Sequence, residues 1–276
     1  MKLTTKILLC TAAVLMIGCT TPAVRLEQQA SDLGFTHHQL ISNSFLLTTF
    51  TNKPVCNNNK LHVYIAGDGK PWRHRTQIAL DPTPNHLLAL NLMSLDTTAS
   101  LYVGRPCYHG QHQSTACHPL FWTHWRYSSI VVDTMVSGLK KLLEPYPACA
   151  VTIIGYSGGG TLAMLIAPRL ANTHRVITLS GNLDVDAWSQ HHHYTPLIGS
   201  LNPATEAALP PTITQIHLIG NADDNIPVNR VLTSLISQPD PVILRYPNVD
   251  HYCCWTTFWP NILKRLKTHD FGARKK

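Results

Sequence analysis

Short runs of β-branched and aliphatic residues alternate along this chain with stretches of helical spacing. Phe45–Phe50, Leu61–Ala66, Ser100–Val103, Val151–Ile154, Arg175–Leu179, Thr214–Ile219 and Pro241–Arg245 read as strands. Between them, Arg25–Leu33, Asn85–Met93, Ser128–Leu143, Thr161–Ala167 and Trp255–Leu266 read as helices. Gly34 stops the first of these, and Ile130, Val131, Met135, Leu139 and Leu142 line one face of the third. Strands alternating with helices predict an α/β fold, a mostly parallel central sheet with helices on both faces. Residues 181–211 carry Pro and His without clear periodicity and are predicted to form a long loop or small cap over a site.

The apolar run at the start has a different meaning. Lys2 and Lys6 precede Ile7–Ile17, which is too short to span a bilayer and reads as a secretory signal ending at Gly18. Leu15-Met-Ile-Gly-Cys19 resembles a bacterial lipobox. That resemblance implies a lipoprotein signal peptide over 1–18, lipidation of Cys19, a tether over 19–24 and one folded domain over 25–276. Thr20, with no Asp at that position, resembles lipoproteins sorted to the outer membrane. Acyl chains rather than a helix would then hold the protein to the envelope membrane.

Composition narrows the classes further. The chain has 276 residues, 44% of them hydrophobic and 13% charged, enough apolar sequence for a sizeable core and little sign of disorder. The formal net charge is +7, two units of it from Lys2 and Lys6. Much of the excess sits in Lys264-Arg-Leu-Lys267 and Arg274-Lys-Lys276, a helix end and tail that could attract anionic lipid. No basic stripe accompanies a base-reading motif, so a nucleic-acid partner is not expected.

The chemistry centres on Gly155-Tyr-Ser157-Gly158-Gly159, which fits G-x-S-x-G between a strand and a helix. In that context the serine sits on a sharp turn with its Oγ projecting above the sheet. Gly155 and Gly159 are expected to be glycine because strand and helix pass too close for side chains. A serine hydroxyl becomes a nucleophile when a base takes its proton and a carboxylate orients the base. The acid is expected on a loop after a later strand, and Gly220-Asn-Ala-Asp223-Asp-Asn-Ile-Pro227 follows one. Asp223 is the candidate, with Asp224 its rival. His251, after the last strand and before the last helix, is the expected base; Asp250 beside it is expected to shape the loop. Gly67-Asp68-Gly69 ends the Leu61–Ala66 strand. The N–H of Asp68 or Gly69, with that of Gly158, is the expected oxyanion hole. The Asp68 carboxylate is expected to turn away and bond its own loop or Arg73.

Gly-x-x-Asp-x-x-Ile-Pro resembles the acid loop of α/β-hydrolases. The chain as a whole resembles α/β-hydrolase lipoproteins of Gram-negative bacteria through Gly67-Asp-Gly69, Gly104-Arg-Pro-Cys107, Trp122-Thr123, the elbow at Gly155–Gly159 and Ser180-Gly-Asn-Leu-Asp184. The resemblance implies the α/β-hydrolase fold and serine-hydrolase chemistry without a cofactor. It does not carry a substrate with it.

Of the eight cysteines, six lie beyond Cys19, an even number that suits disulfides in an exported chain. Cys107 and Cys117 bracket a polar loop and are the expected pair. Cys56, Cys149, Cys253 and Cys254 have no connectivity that sequence can assign, although Cys253 and Cys254 are expected to bond elsewhere, for example to Cys56 or Cys149. Cys107, His109, His112, Cys117 and His118 are all metal-ligand types, but their spacing fits no zinc module, and no metal is expected. The same holds for the His191–His193 run.

The expected activity is therefore hydrolysis of a carboxylic ester or related acyl bond in a small-molecule or lipid-like substrate. Peptidase or amidase action, or acyl transfer, on the same three residues remains an alternative, as does a binding lipoprotein without turnover. Trp72, Tyr156, Trp188 and Trp255 are candidates for an apolar acyl pocket, or equally for core and rim.

Overall fold

The computed structural model describes residues 20–74 and 76–268. The signal sequence and Cys19 lie outside the described residues. Among those described, no helix is long and apolar enough to cross a membrane.

Eight strands form one sheet. In chain order they are β1 (Thr36–Ser42), β2 (Phe45–Thr51), β3 (Lys60–Ile65), β6 (Ser100–Val103), β7 (Ala150–Tyr156), β8 (Thr173–Leu179), β9 (Thr214–Gly220) and β10 (Val242–Tyr246). A short hairpin, β4 (Trp72–His74) and β5 (Gln77–Ile78), stands apart. The spatial order is β1-β2-β6-β3-β7-β8-β9-β10. Within this sheet β1–β2 and β2–β6 pair antiparallel and the other pairings are parallel.

Period-two alternation divides the core into two layers. Leu61, Val63 and Ile65 of β3 and Val151 and Ile153 of β7 face a layer closed by α3 (Ser129–Leu143) and α4 (Gly158–Ile166). Tyr64, Tyr102, Ile154 and Tyr156 face the opposite layer, under α1 (Pro22–Asp32), α2 (Leu88–Ser94) and α7 (Trp255–Thr268). Trp255 belongs to this second layer and is fully buried, so it is a core residue and not a pocket wall.

Several elements depart from their expected bounds. α1 begins at Pro22, three residues before the expected start, because the Thr21 hydroxyl caps it and proline suits the first turn. β1 was not expected; as an edge strand with five of its seven positions exposed, it shows no apolar alternation. The 181–211 segment holds a short helix, α5 (Val185–His191), capped by Asp184. Another, α6 (Val228–Ser234), follows the acid loop.

Three disulfides are present. Cys107 bonds Cys117, with Cα atoms 5.5 Å apart. Cys56 bonds Cys149, stapling the approaches to the paired strands β3 and β7. Cys253 bonds its neighbour Cys254, which corrects the expectation that these two reach Cys56 or Cys149. The Cys56–Cys149 bridge spans 93 residues and Cys107–Cys117 spans 10. The longer loop gains more from closure, so a Cys56→Ala/Cys149→Ala double variant is expected to lose on the order of 4 kcal/mol, and the Cys107→Ala/Cys117→Ala variant less. Urea unfolding at neutral pH measures both; equal losses would show that chain entropy does not govern the difference.

Candidate active site

Ser157 stands between the end of β7 and the start of α4 with φ 54° and ψ −122°, a conformation that costs a non-glycine residue energy. The surroundings hold it there. Its N–H donates to Leu179 O (3.0 Å), and its carbonyl accepts from the N–H groups of Gly160 (2.8 Å) and Asn182 (3.1 Å). A Cβ on Gly155 would overlap the backbone of Gly159, and one on Gly159 would overlap the carbonyls of Ile65 and Ala66. Crossing of strand and helix at this distance is what the turn requires of the two glycines.

Three loops at the carboxyl ends of β7, β9 and β10 bring Ser157, Asp223 and His251 together. Ser157 Oγ lies 3.0 Å from His251 Nε2, and His251 Nδ1 lies 2.9 Å from Asp223 Oδ2. Asp223 and His251 are buried, and Asp223 Oδ1 accepts the Ile226 N–H at 2.8 Å. Tyr156 packs beside the imidazole, ring centroids 5.2 Å apart, and donates its hydroxyl to the His251 carbonyl at 2.9 Å. Asp224 is exposed. Asp250 is exposed too and accepts the N–H groups of Tyr252 (2.8 Å) and Cys253 (2.6 Å), which tightens the turn after His251 and lowers its carboxyl pKa.

A second buried histidine–carboxylate pair, His62 and Asp96, lies at the opposite end of β3. Its third member is the Tyr64 hydroxyl, which donates to Asp96 Oδ2 at 2.7 Å. It contains no serine and does not reach the elbow.

The Gly67–Gly69 loop closes over the elbow. A Cβ on Gly67 would come within 3.3 Å of Ser157 Cβ, and one on Gly158 would overlap the Asp68 carboxylate and the Tyr127 hydroxyl. Asp68 is thus beside Gly158. Gly69, at φ +66°, is pressed against Pro82. No acceptor within the described residues takes the N–H of Asp68, Gly69 or Gly158.

The Asp68 carboxylate lies beside Gly158 and bonds neither its own loop nor Arg73. Its Oδ1 accepts from Arg105 Nη1 (2.6 Å), and its Oδ2 accepts from Arg126 Nη1 (3.1 Å) and the Tyr127 hydroxyl (2.5 Å). Arg105 also donates to Ala66 O (3.0 Å), and Tyr108 donates its hydroxyl to Asp68 O (3.0 Å). Burial pushes the Asp68 carboxyl pKa up, but the two guanidinium groups and Tyr127 outweigh it and hold the pKa below the usual value. Neither arginine was a sequence candidate for this site; the one available signal was Arg105 itself, held between Gly and Pro in a chain poor in charge.

Of the remaining aromatic candidates, Trp188 lines a small cleft with Leu183, Ile226, Pro227 and Val231. Asn182 and Ile226, which bond Ser157 and Asp223, reach the same cleft. Trp72 is half-buried, its ring 6.3 Å from that of His124.

Known proteins agree with this architecture. The class 3 lipase family matches residues 94–188, a stretch that includes Ser157 but neither Asp223 nor His251. No curated protein matches the chain in sequence. Among solved structures, the Pyrococcus furiosus esterase Pf2001 is similar over 92% of this chain and 93% of its own, at 12% identity and a TM-score of 0.58. Mouse α/β hydrolase domain-containing protein 10 is similar over 85% of this chain and 98% of its own, at 12% identity and a TM-score of 0.59. The Pyrococcus horikoshii acylaminoacyl peptidase matches 84% of this chain at 11% identity and a TM-score of 0.57, and the chain spans 41% of its length. By sheet order, elbow and neighbours alike, the chain has the α/β-hydrolase fold.

Proposed function

We propose that the protein is a serine hydrolase that cleaves a carboxylic ester or related acyl bond, held to the cell envelope, at the outer membrane, by lipid on Cys19. The observation that carries the chemistry is the continuous path from Ser157 Oγ through His251 to Asp223, with contacts of 3.0 and 2.9 Å. In the reaction, Ser157 Oγ attacks the acyl carbon as His251 Nε2 takes its proton. Asp223 keeps the proton on Nδ1 and stabilises the imidazolium. The carbonyl oxygen gains the negative charge and is met by the N–H of Gly158 and that of Asp68 or Gly69, with the positive end of α4 behind them. Collapse of this intermediate expels the alcohol, which receives the proton from His251, and leaves an acyl-serine. Water, deprotonated by His251, then repeats the sequence and frees the acid.

A fluorophosphonate probe tests the class directly. The wild type is expected to label at Ser157 and the Ser157→Ala variant not at all. Folded wild type that fails to react would favour a binding protein. Because the P. horikoshii neighbour is a peptidase, p-nitrophenyl esters compared with peptide anilides separate ester from amide cleavage.

A further inference from the structure

The loops that carry the site share one end of the sheet with a surface that has no counterpart elsewhere in the mechanism. The oxyanion loop runs directly into the β4–β5 hairpin, whose return is tied by Ala79 N to Pro71 O (2.9 Å) and Lys70 N to Pro82 O (3.0 Å). Just past this hairpin Leu80 is 75% exposed; Ile78 is exposed beside it, as are Lys70 and Arg73. Among the described residues neither cation meets a carboxylate. Trp72 and His124 lead from the hairpin to the 196–199 segment, where His124 Nδ1 lies 3.2 Å from Pro196 O and Ile198 is 73% exposed. On the other flank, the His86 ring lies against that of Tyr252, tilted by 34° at 4.9 Å, and Tyr252 is 59% exposed and next to His251. Of the carboxylates at this end, Asp81 and Asp250 are occupied by backbone N–H groups, and Asp224 is exposed on the acid loop.

The start of the folded chain emerges on the same rim. Arg25 donates to Asn85 Oδ1 (2.6 Å), the neighbour of His86, and to Thr20 O (3.3 Å). Only Thr20 and Thr21 separate Cys19 from α1. Even fully extended, that span covers about 10 Å. Acyl chains on Cys19 would therefore hold this end of the molecule, and no other, against the bilayer.

We propose that this rim is a membrane-docking surface: Leu80, Ile78 and Ile198 enter the interface of an anionic phospholipid bilayer, Lys70 and Arg73 meet its headgroups, and the site opens toward it. Exposed aliphatic residues flanked by unpaired cations are the composition that interfacial binding requires. The orientation rests on the anchored-hydrolase reading, and its consequence is a substrate whose acyl bond lies at the membrane surface, delivered without leaving it.

The test uses the mature chain from residue 19 onward with Cys19→Ser, which removes the signal sequence and the lipid site; the rim variants then separate binding through the rim from binding through the basic C-terminal tail. Flotation with vesicles of phosphatidylcholine containing about a third phosphatidylglycerol is expected to carry the protein, and raised salt is expected to release it. Arg73→Glu/Leu80→Asp and Ile198→Asp, made separately on that background, are expected to lower the partition coefficient at least about tenfold, since each removes interfacial burial and the first also reverses a headgroup contact. Turnover of a soluble short-chain ester should not change. A parent that fails to float, or variants that float like the parent, would overturn the proposal. Absence of soluble-ester turnover in wild type and parent alike would instead count against the hydrolase reading, because flotation does not depend on catalysis.

Discussion

Asp223→Asn is expected to lower kcat by about four orders of magnitude while leaving the fold intact. The size of the effect follows from the orientation the loop imposes. Asp223 Oδ1 accepts the Ile226 N–H and Oδ2 faces His251 Nδ1. An asparagine must keep its carbonyl oxygen toward Ile226, because an amide NH2 there would face another donor. Its NH2 then points at Nδ1 and makes that nitrogen the acceptor. The imidazole proton moves to Nε2, toward Ser157, where it cannot accept the hydroxyl proton. Steady-state kinetics with a p-nitrophenyl ester reads the loss, and an unchanged urea midpoint confirms that the fold persists. Asp224→Asn should stay within about twofold of wild type, because Asp224 is exposed and makes no bond to the imidazole. Equal losses in the two variants would defeat the assignment of Asp223.

What could be read beforehand divides along physical lines. β7, the elbow and α4 were legible because a buried central strand must be apolar throughout and the crossing after it must be glycine. The acid loop was legible because it follows the buried strand β9 and holds a titratable residue at its end, and the base because His251 stands between the last strand and the last helix. β1 left no such mark, since an edge strand facing solvent has no reason to alternate. The seven-residue helices α5 and α6 are too short for a helical period to stand out. Cys56 and Cys149 meet only because β3 and β7, 90 residues apart in sequence, become neighbours in the sheet. The same reason hides the ion cluster beside the elbow: Asp68, Arg105 and Arg126 come from three separate loops, and no spacing in sequence links them.

That cluster carries the second large effect. Asp68→Asn is expected to destabilise the protein by about 3–5 kcal/mol at neutral pH, the range for breaking a buried ion pair by removal of one partner. Asp68 is the one carboxylate set against two buried arginines, with Tyr127 completing its coordination. A neutral amide of the same shape leaves both guanidinium groups without a counter-charge, and its NH2 must face one of three donors. Gly158 allows no retreat, since the carboxylate already fills the space beside its Cα. The pH dependence has a definite sign. The folded-state pKa of Asp68 lies below its ordinary value, so its contribution is complete above the usual carboxylate range and is lost as pH falls through the lowered pKa. Wild-type stability should therefore fall in acid more steeply than that of Asp68→Asn, and the two urea midpoints should converge there. Catalysis should suffer at neutral pH through positioning, because Arg105 ties the Asp68 carboxylate to Ala66 O and so sets the loop that lies over Ser157. The loss should appear in kcat more than in KM, as expected for contacts made with the developing oxyanion and not with the bound ester. A variant with wild-type stability at pH 7 would show that the arginines are neutralised by some other group; one that is destabilised but keeps its kcat would confine the cluster to folding and remove it from the site.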